Sequence, residues 1–139
     1  MKKLILLALI GISALAASAQ HTTARFSPPK DNTGRSLSYK LLTPTYAAVV
    51  YVQPSNYETI VLADTLTGTQ TDSASVTGAW VGDRLTYIFQ SDTASGGHVV
   101  TFGNHMVTSG TLTVDAEQKA SIQFIFDGVA WVACGREKQ

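Results

Sequence analysis

The sequence is poor in cysteine and in charge, and both shortages limit the kinds of protein that it can encode. Cys134 is the only cysteine, so no internal disulfide can form and no cysteine pair can hold a metal. Charged residues make up 14% of the chain, and they do not form the clustered basic patches typical of a nucleic-acid interface. After residue 19, no window shows the i, i+3, i+4, i+7 spacing of an amphipathic helix. These absences favour an all-β protein that does not bind nucleic acid.

The first nineteen residues have the three parts of a secretory signal peptide. Met1-Lys2-Lys3 is positively charged, Leu4–Leu15 is an apolar run, and Ala17-Ser18-Ala19 is a cleavage signature before Gln20. The apolar run has about a dozen residues, whereas a membrane-spanning helix needs about 20. We therefore predict a signal-peptide helix at residues 1–19, export to the periplasm of a bacterium or to the outside, and no membrane span after cleavage.

The remaining chain divides at Lys40. Residues 20–40 are polar, contain Pro28-Pro29 and carry four basic residues against one acidic residue. They predict an extended polar arm outside the core. Residues 41–139 carry four basic and nine acidic residues, and their length suits one β domain. A basic arm and an acidic body can attract each other between copies, so the pattern predicts a homo-oligomer, with exchange of arms as one form.

Short runs rich in Val, Thr and aromatic residues, separated by turn residues, predict strands throughout residues 41–139. Their spacing of about 8–12 residues is typical of a small antiparallel β-sandwich or a jelly-roll-like domain. The predicted strands are Tyr46–Val52, Thr59–Ala63, Ser73–Thr77, Asp83–Gln90, Gly97–Phe102, Gly110–Val114, Ile122–Phe126 and Trp131–Ala133.

The last two predicted strands flank Asp127-Gly128, which is a strong hairpin signal between alternating strands. A loop of even length places Phe124, Phe126, Trp131 and Ala133 on one face, which predicts that they belong to the core. The opposite face holds Gln123, Ile125, Val132 and Cys134 and is half apolar, so we expect it to be covered as well. The apolar run before Cys134 favours a buried thiol.

The segment Gly82–Cys134 resembles a bacteriophage-type β module of tail fibres and virion surface proteins. The resemblance is carried by Asp83-x-Leu85-x-Tyr87-x-Phe89, by Gly96-Gly97-x-Val99-Val100-Thr101-Phe102 and by Phe124-Ile125-Phe126-Asp127-Gly128-x-x-Trp131. It implies a small all-β domain, often trimeric, that assembles or adheres and does not catalyse. The signal peptide departs from that setting, because virion proteins normally lack one.

The histidines and acidic residues form no convincing catalytic or metal-binding pattern. His98 and His105 could join Asp92 or Asp115 around a metal, but their spacing matches no known ligand pattern. His98 shares the predicted face of Val100, which favours a partly buried histidine bonded to a backbone carbonyl. We therefore predict no metal, no cofactor and no catalytic residue.

The aromatic residues are better candidates for binding. Trp80 lies between Gly78 and Gly82, where it can stack on a sugar ring or, alternatively, cover one end of the core. Tyr57 can add a second contact. We expect a non-enzymatic structural or assembly module that self-associates. The alternative is a secreted module that binds glycans or a cell surface.

Overall fold

The computed structural model describes residues 37–93 and 96–139, and it contains ten strands and no helix in these ranges. The predicted signal peptide, and the arm as far as Ser36, lie outside the described residues. Within the described ranges there is no helix long and apolar enough to cross a membrane. The strands are β1 Tyr39–Leu42, β2 Val49–Val52, β3 Glu58–Leu62, β4 Gln70–Ala74, β5 Arg84–Gln90, β6 His98–Phe102, β7 Met106–Val107, β8 Leu112–Val114, β9 Lys119–Phe126 and β10 Trp131–Lys138.

The strands form two mixed sheets. Six strands pair in the order β1-β3-β5-β9-β10-β7, and four pair in the order β2-β4-β6-β8. From β1 to β6 the chain alternates between the sheets, and each strand lies parallel to the strand two before it. The first half of the domain is therefore wound like a flat coil, with one strand of each turn in each sheet. We call this arrangement the winding.

The expected antiparallel pairing is wrong for most of the domain. Five of the eight strand pairs are parallel, and only β9–β10, β5–β9 and β6–β8 are antiparallel. Parallel neighbours need a long crossover connection between them. Here the crossover is a strand of the other sheet, so short connections and parallel pairing coexist. The all-β class is confirmed.

The inner faces of the two sheets share one apolar core. Side chains alternate between the faces of a strand with a period of two, so β5 buries Leu85, Tyr87 and Phe89 and exposes Arg84. The sheets meet where the rings of Phe102 and Phe124 approach to 5.3 Å between centroids.

The β9–β10 hairpin confirms the predicted faces. Trp131 pairs with Phe126 across a four-residue loop, and both are buried, as is Phe124. The indole Nε1 of Trp131 donates to the carbonyl oxygen of Ser75 at 3.0 Å, which ties the hairpin to the end of β4. Gly128 has a φ of 108°, a conformation that glycine adopts far more readily than other residues. The sequence signal for this turn was therefore correct.

Two strands had no clear sequence signal. Tyr39 and Lys40, the last residues of the predicted arm, form the start of β1. The strand β7 has two residues, too few to show a periodic pattern. The predicted Ser73–Thr77 strand lies three residues earlier, at β4, because its inward side chains include the polar Gln70 and Asp72.

Candidate functional site

The connections that lead from β2 to β3, from β4 to β5 and from β6 to β7 gather at one end of the domain, which we call the loop end. It comprises residues 53–57, 75–83 and 103–105, together with the hairpin loop 127–130. The Nε2 of Gln53 donates to the carbonyl oxygen of Thr77 at 3.0 Å. The backbone N–H of Gly82 donates to the carbonyl oxygen of Phe126 at 2.9 Å. These bonds hold the loops side by side.

A tight turn presents Trp80 at the loop end. The backbone N–H of Trp80 donates to Oδ2 of Asp83 at 2.9 Å, while the N–H of Asp83 donates to the Trp80 carbonyl oxygen at 2.9 Å. Asp83 is buried, but Trp80 leaves 54% of its surface exposed. Because its backbone is fixed while its ring remains accessible, Trp80 is available to contact a ligand.

Two valines enlarge this apolar surface. Val81 and Val129 are both strongly exposed, and the side chain of Val81 lies beside Gly128, next to Val129 in the hairpin loop. We call Trp80, Val81 and Val129 the tip cluster. The two valines carry no periodic pattern, and sequence reasoning missed them because their exposure depends on how the two loops meet.

Tyr57 lies at the same end of the sheet but differs from Trp80 in exposure. Tyr57 is the residue just before β3, and its carbonyl oxygen accepts a hydrogen bond at 2.8 Å from the N–H of Arg84, the first residue of β5. Its side chain is half-buried. The structure therefore brings the two predicted binding residues to one end of the domain and makes Trp80 the more accessible of the two.

Asp127 shapes the hairpin loop electrostatically. Its Oδ1 accepts hydrogen bonds from the backbone N–H groups of Val129 and Ala130, each at 2.8 Å. These bonds, with that of Ala130 the stronger influence, hold the pKa of the Asp127 carboxyl below its usual value. The tip cluster therefore lies next to a fixed negative charge.

A second surface with exposed apolar side chains lies on the outward face of the six-stranded sheet. One row of paired residues crosses all six strands of that sheet. In it, the charged pair Glu58 and Arg84 lies between Tyr39 on one side and Ile125, Val132 and Val107 on the other. Leu41 and Leu62 lie on the same face in neighbouring rows. We call this surface, with its exposed residues Tyr39, Leu41, Leu62, Val107, Ile125 and Val132, the outer face.

The prediction that Cys134 is buried is wrong. Cys134 is exposed, and it lies at an irregularity of the β9–β10 pairing between Ala133 and Gly135. Its thiol contacts the backbone oxygen of Gln123 at 3.4 Å. The apolar run before Cys134 includes residues of the hairpin loop and of the outer face, so it does not indicate that the thiol is buried. In the single chain nothing that the structure describes covers that face.

His98 also has a different partner from the one expected. Its Nε2 lies 2.8 Å from Oδ1 of Asp92, a carboxylate and not a backbone carbonyl. His98 is half-buried, as predicted. Among residues 37–93 and 96–139, no group of three or more His, Cys, Asp or Glu side chains is arranged to hold a metal.

The four-stranded sheet presents a different outward face. Thr71 and Thr101 share a hydrogen bond of 2.7 Å between their hydroxyl groups, and Ser73 and Thr113 alternate with buried neighbours on β4 and β8. Small hydroxyl side chains line β4 and β8 on this face, whereas the exposed Val49 and Tyr51 lie on its edge strand β2. No family model matches the sequence. No significantly similar curated protein was found either.

Proposed function

We propose that this protein is an exported, non-enzymatic structural module with a sandwich-like fold that self-associates through its outer face. The observation that carries the proposal is the row of paired residues that crosses all six strands and exposes apolar side chains on four of them, at Tyr39, Ile125, Val132 and Val107. Large exposed apolar patches on soluble proteins often mark interaction sites. The periplasm and the cell exterior are the compartments in which the assembly would form.

The charges of the outer face suit a symmetric contact. Glu58 and Arg84 are neighbours in the register of β3 and β5. In a contact between identical surfaces related by a twofold axis, residue i meets residue j while j meets i. Glu58 of one copy can then lie against Arg84 of the other, with the apolar residues around them excluding water.

The self-association can be tested with one charge on the outer face. Ile125→Lys is expected to weaken association at least about tenfold, because an unpaired charge in an apolar interface costs more than about 1.4 kcal/mol. Light scattering on the chain from Gln20 should give a multiple of the single-chain mass for the parent and a lower average mass for Ile125→Lys. The matched control is Thr113→Lys, which places the same charge on the outward face of the four-stranded sheet and should associate like the parent. A parent that has the single-chain mass at every concentration would contradict the proposal.

A second candidate function is favoured by the exposure of Trp80. An exposed indole on a fixed turn can stack on the apolar face of a sugar ring, so the tip cluster could make the protein a glycan- or surface-binding module. The half-buried Tyr57 would support one side of this surface.

If the protein binds glycans through Trp80, removal of the aromatic ring should weaken that binding. On a glycan array, Trp80→Ala should bind about tenfold or more weakly than the parent, whereas Trp80→Phe should retain part of the signal because it keeps a ring. Equal binding by Trp80→Ala and the parent, or no binding by the parent, would remove this candidate.

A further inference from the structure

The four strands at the edges of the two sheets differ in how they are protected from pairing. Natural proteins protect sheet edges by short strands and charged side chains. In the described part of the chain, β7 has two residues, β8 has three, and β1 carries Lys40. The edge strand β2 has four residues and no charge, and it exposes Val49 and Tyr51 by 68% and 63%.

The backbone of β2 has hydrogen-bonding groups directed away from its sheet. The carbonyl oxygens of Ala48 and Val52 accept bonds from β4 and from the residue after it, namely from the N–H groups of Thr71 and Ser75, each at 2.9 Å. Because the direction of these groups alternates along a strand, the N–H and C=O groups of Val49 and Tyr51 point outward. They form a template for a further parallel strand.

The chain enters β1 at the loop end. Ser38, just before β1, accepts a 2.6 Å hydrogen bond at its Oγ from Nδ2 of Asn56, so it lies at the loop end. That is the end where the winding crosses from the four-stranded to the six-stranded sheet, after β2, β4 and β6. A segment that precedes β1 and follows the same course would therefore lie beside β2.

The sequence before β1 contains a segment that suits this position. We propose that Thr22–Phe26 of the same chain pairs in parallel with β2 as the preceding strand of the winding. In β2 the strand ends at Val52, two residues before Pro54, and Phe26 likewise stands two residues before Pro28. The twelve residues Ser27–Ser38 would connect this strand to β1. The connection from β4 to β5 makes the same crossing with nine residues, so twelve are enough.

The tether favours the chain's own segment over that of another copy. A linker of this length raises the effective concentration of the segment at the edge to the millimolar range, above that of any second molecule in dilute solution. This inference does not rest on the proposed self-association, which uses the outer face of the other sheet.

Amide hydrogen exchange, resolved by NMR on the chain from Gln20, tests the pairing. In the parent, the amides of Val49 and Tyr51 should exchange at least about tenfold more slowly than in an unstructured chain, at a rate independent of protein concentration. Since alternate residues of a strand face its neighbour, Thr23→Pro and Ala24→Pro are made separately, and at least one should abolish this protection. Thr33→Pro, in the connection, is the matched control and should keep it. The amide of Tyr87 in β5 should stay protected in all variants, which shows that the domain remains folded.

Three results would overturn the inference. The first is rapid exchange of Val49 and Tyr51 in the parent, and the second is protection that survives both proline variants. The third is protection that grows with concentration, because it would assign the edge to a second copy. Light scattering on the same samples reports on the proposed self-association separately, so failure of one proposal leaves the other open to its own test.

Discussion

Phe124→Ala is expected to lower the free energy of unfolding by about 3–5 kcal/mol, as is usual for removal of a buried phenylalanine side chain. Phe124 is fully buried, and its ring makes edge-to-face contacts with Tyr87 at 6.1 Å and with Phe102 at 5.3 Å. Phe102 belongs to the other sheet, so the substitution opens a cavity at the point where the two sheets meet. Urea denaturation followed by tryptophan fluorescence measures the loss, since Trp131 is buried on the adjacent strand.

The conservative variant Phe124→Leu separates cavity formation from other effects. It keeps most of the volume and should cost less than about 1.5 kcal/mol if the site can repack. Equal losses for the two variants would show that the aromatic contacts themselves, and not the filled volume, stabilise the junction. A Phe124→Ala protein as stable as the parent would contradict the position of Phe124 in the core.

Asp72→Asn is expected to stabilise the protein at neutral pH and to remove much of its stability change between about pH 4 and pH 7. Asp72 is fully buried on the inner face of β4. Its oxygens accept hydrogen bonds from Nε2 of Gln70 at 2.9 and 3.1 Å. Burial raises the pKa of the Asp72 carboxyl from 3.8 to about 7, although the bond from Gln70 opposes the rise. Burial also raises the pKa of Tyr87, and the charge of Asp72 adds to that effect.

The direction of the pH dependence follows from proton linkage. Between about pH 4 and pH 7 the folded state binds a proton at Asp72 that the unfolded state has lost, so stability falls as the pH rises through this range. At about 1.4 kcal/mol per pKa unit, the loss approaches about 4 kcal/mol above pH 7. The amide side chain of the Asp72→Asn variant has no charge to desolvate, and its oxygen can still accept the bond from Gln70.

Urea denaturation at pH 4, pH 5.5 and pH 8 tests this linkage. The difference in stability between Asp72→Asn and the parent should grow with pH and be largest at pH 8. Asp127→Asn serves as the control, because the lowered pKa of Asp127 gives a stability that is lost only as the pH falls below its unfolded pKa of 3.8, so its difference from the parent should change little over these three pH values. A constant difference between Asp72→Asn and the parent at all three pH values would contradict the burial of a titrating carboxyl.

The sequence predicted the strands far better than their arrangement. Alternation of apolar residues located β5 and β9 and assigned Phe124 and Trp131 to the core, because inward side chains repeat with a period of two. That period is the same in parallel and antiparallel strands. Nothing within β3 or β5 indicates that these strands are parallel neighbours, since the reason is the path of the chain through β4 in the other sheet.

The surface was predictable only in part. The exposure of Trp80 was one of two alternatives, and its neighbours Val81 and Val129 depend on contacts between loops that are distant in sequence. Cys134 showed the opposite failure, because its apolar surroundings predicted burial although its face of β10 is open. Asp72 was missed because a carboxyl group in the core gives no apolar signal.

The winding also determines when the core can form as the chain is made. Among the described strands, only β9 and β10 pair as immediate neighbours in sequence, and every other pair is separated by at least one intervening strand. Folds dominated by such distant contacts fold slowly, because a long loop must close before each contact contributes. The central strand β5 finds its second partner only when β9 is present, and Trp131 arrives later still. A growing chain therefore has no complete core until β10 has been synthesised. Until then its apolar strands remain accessible to chaperones.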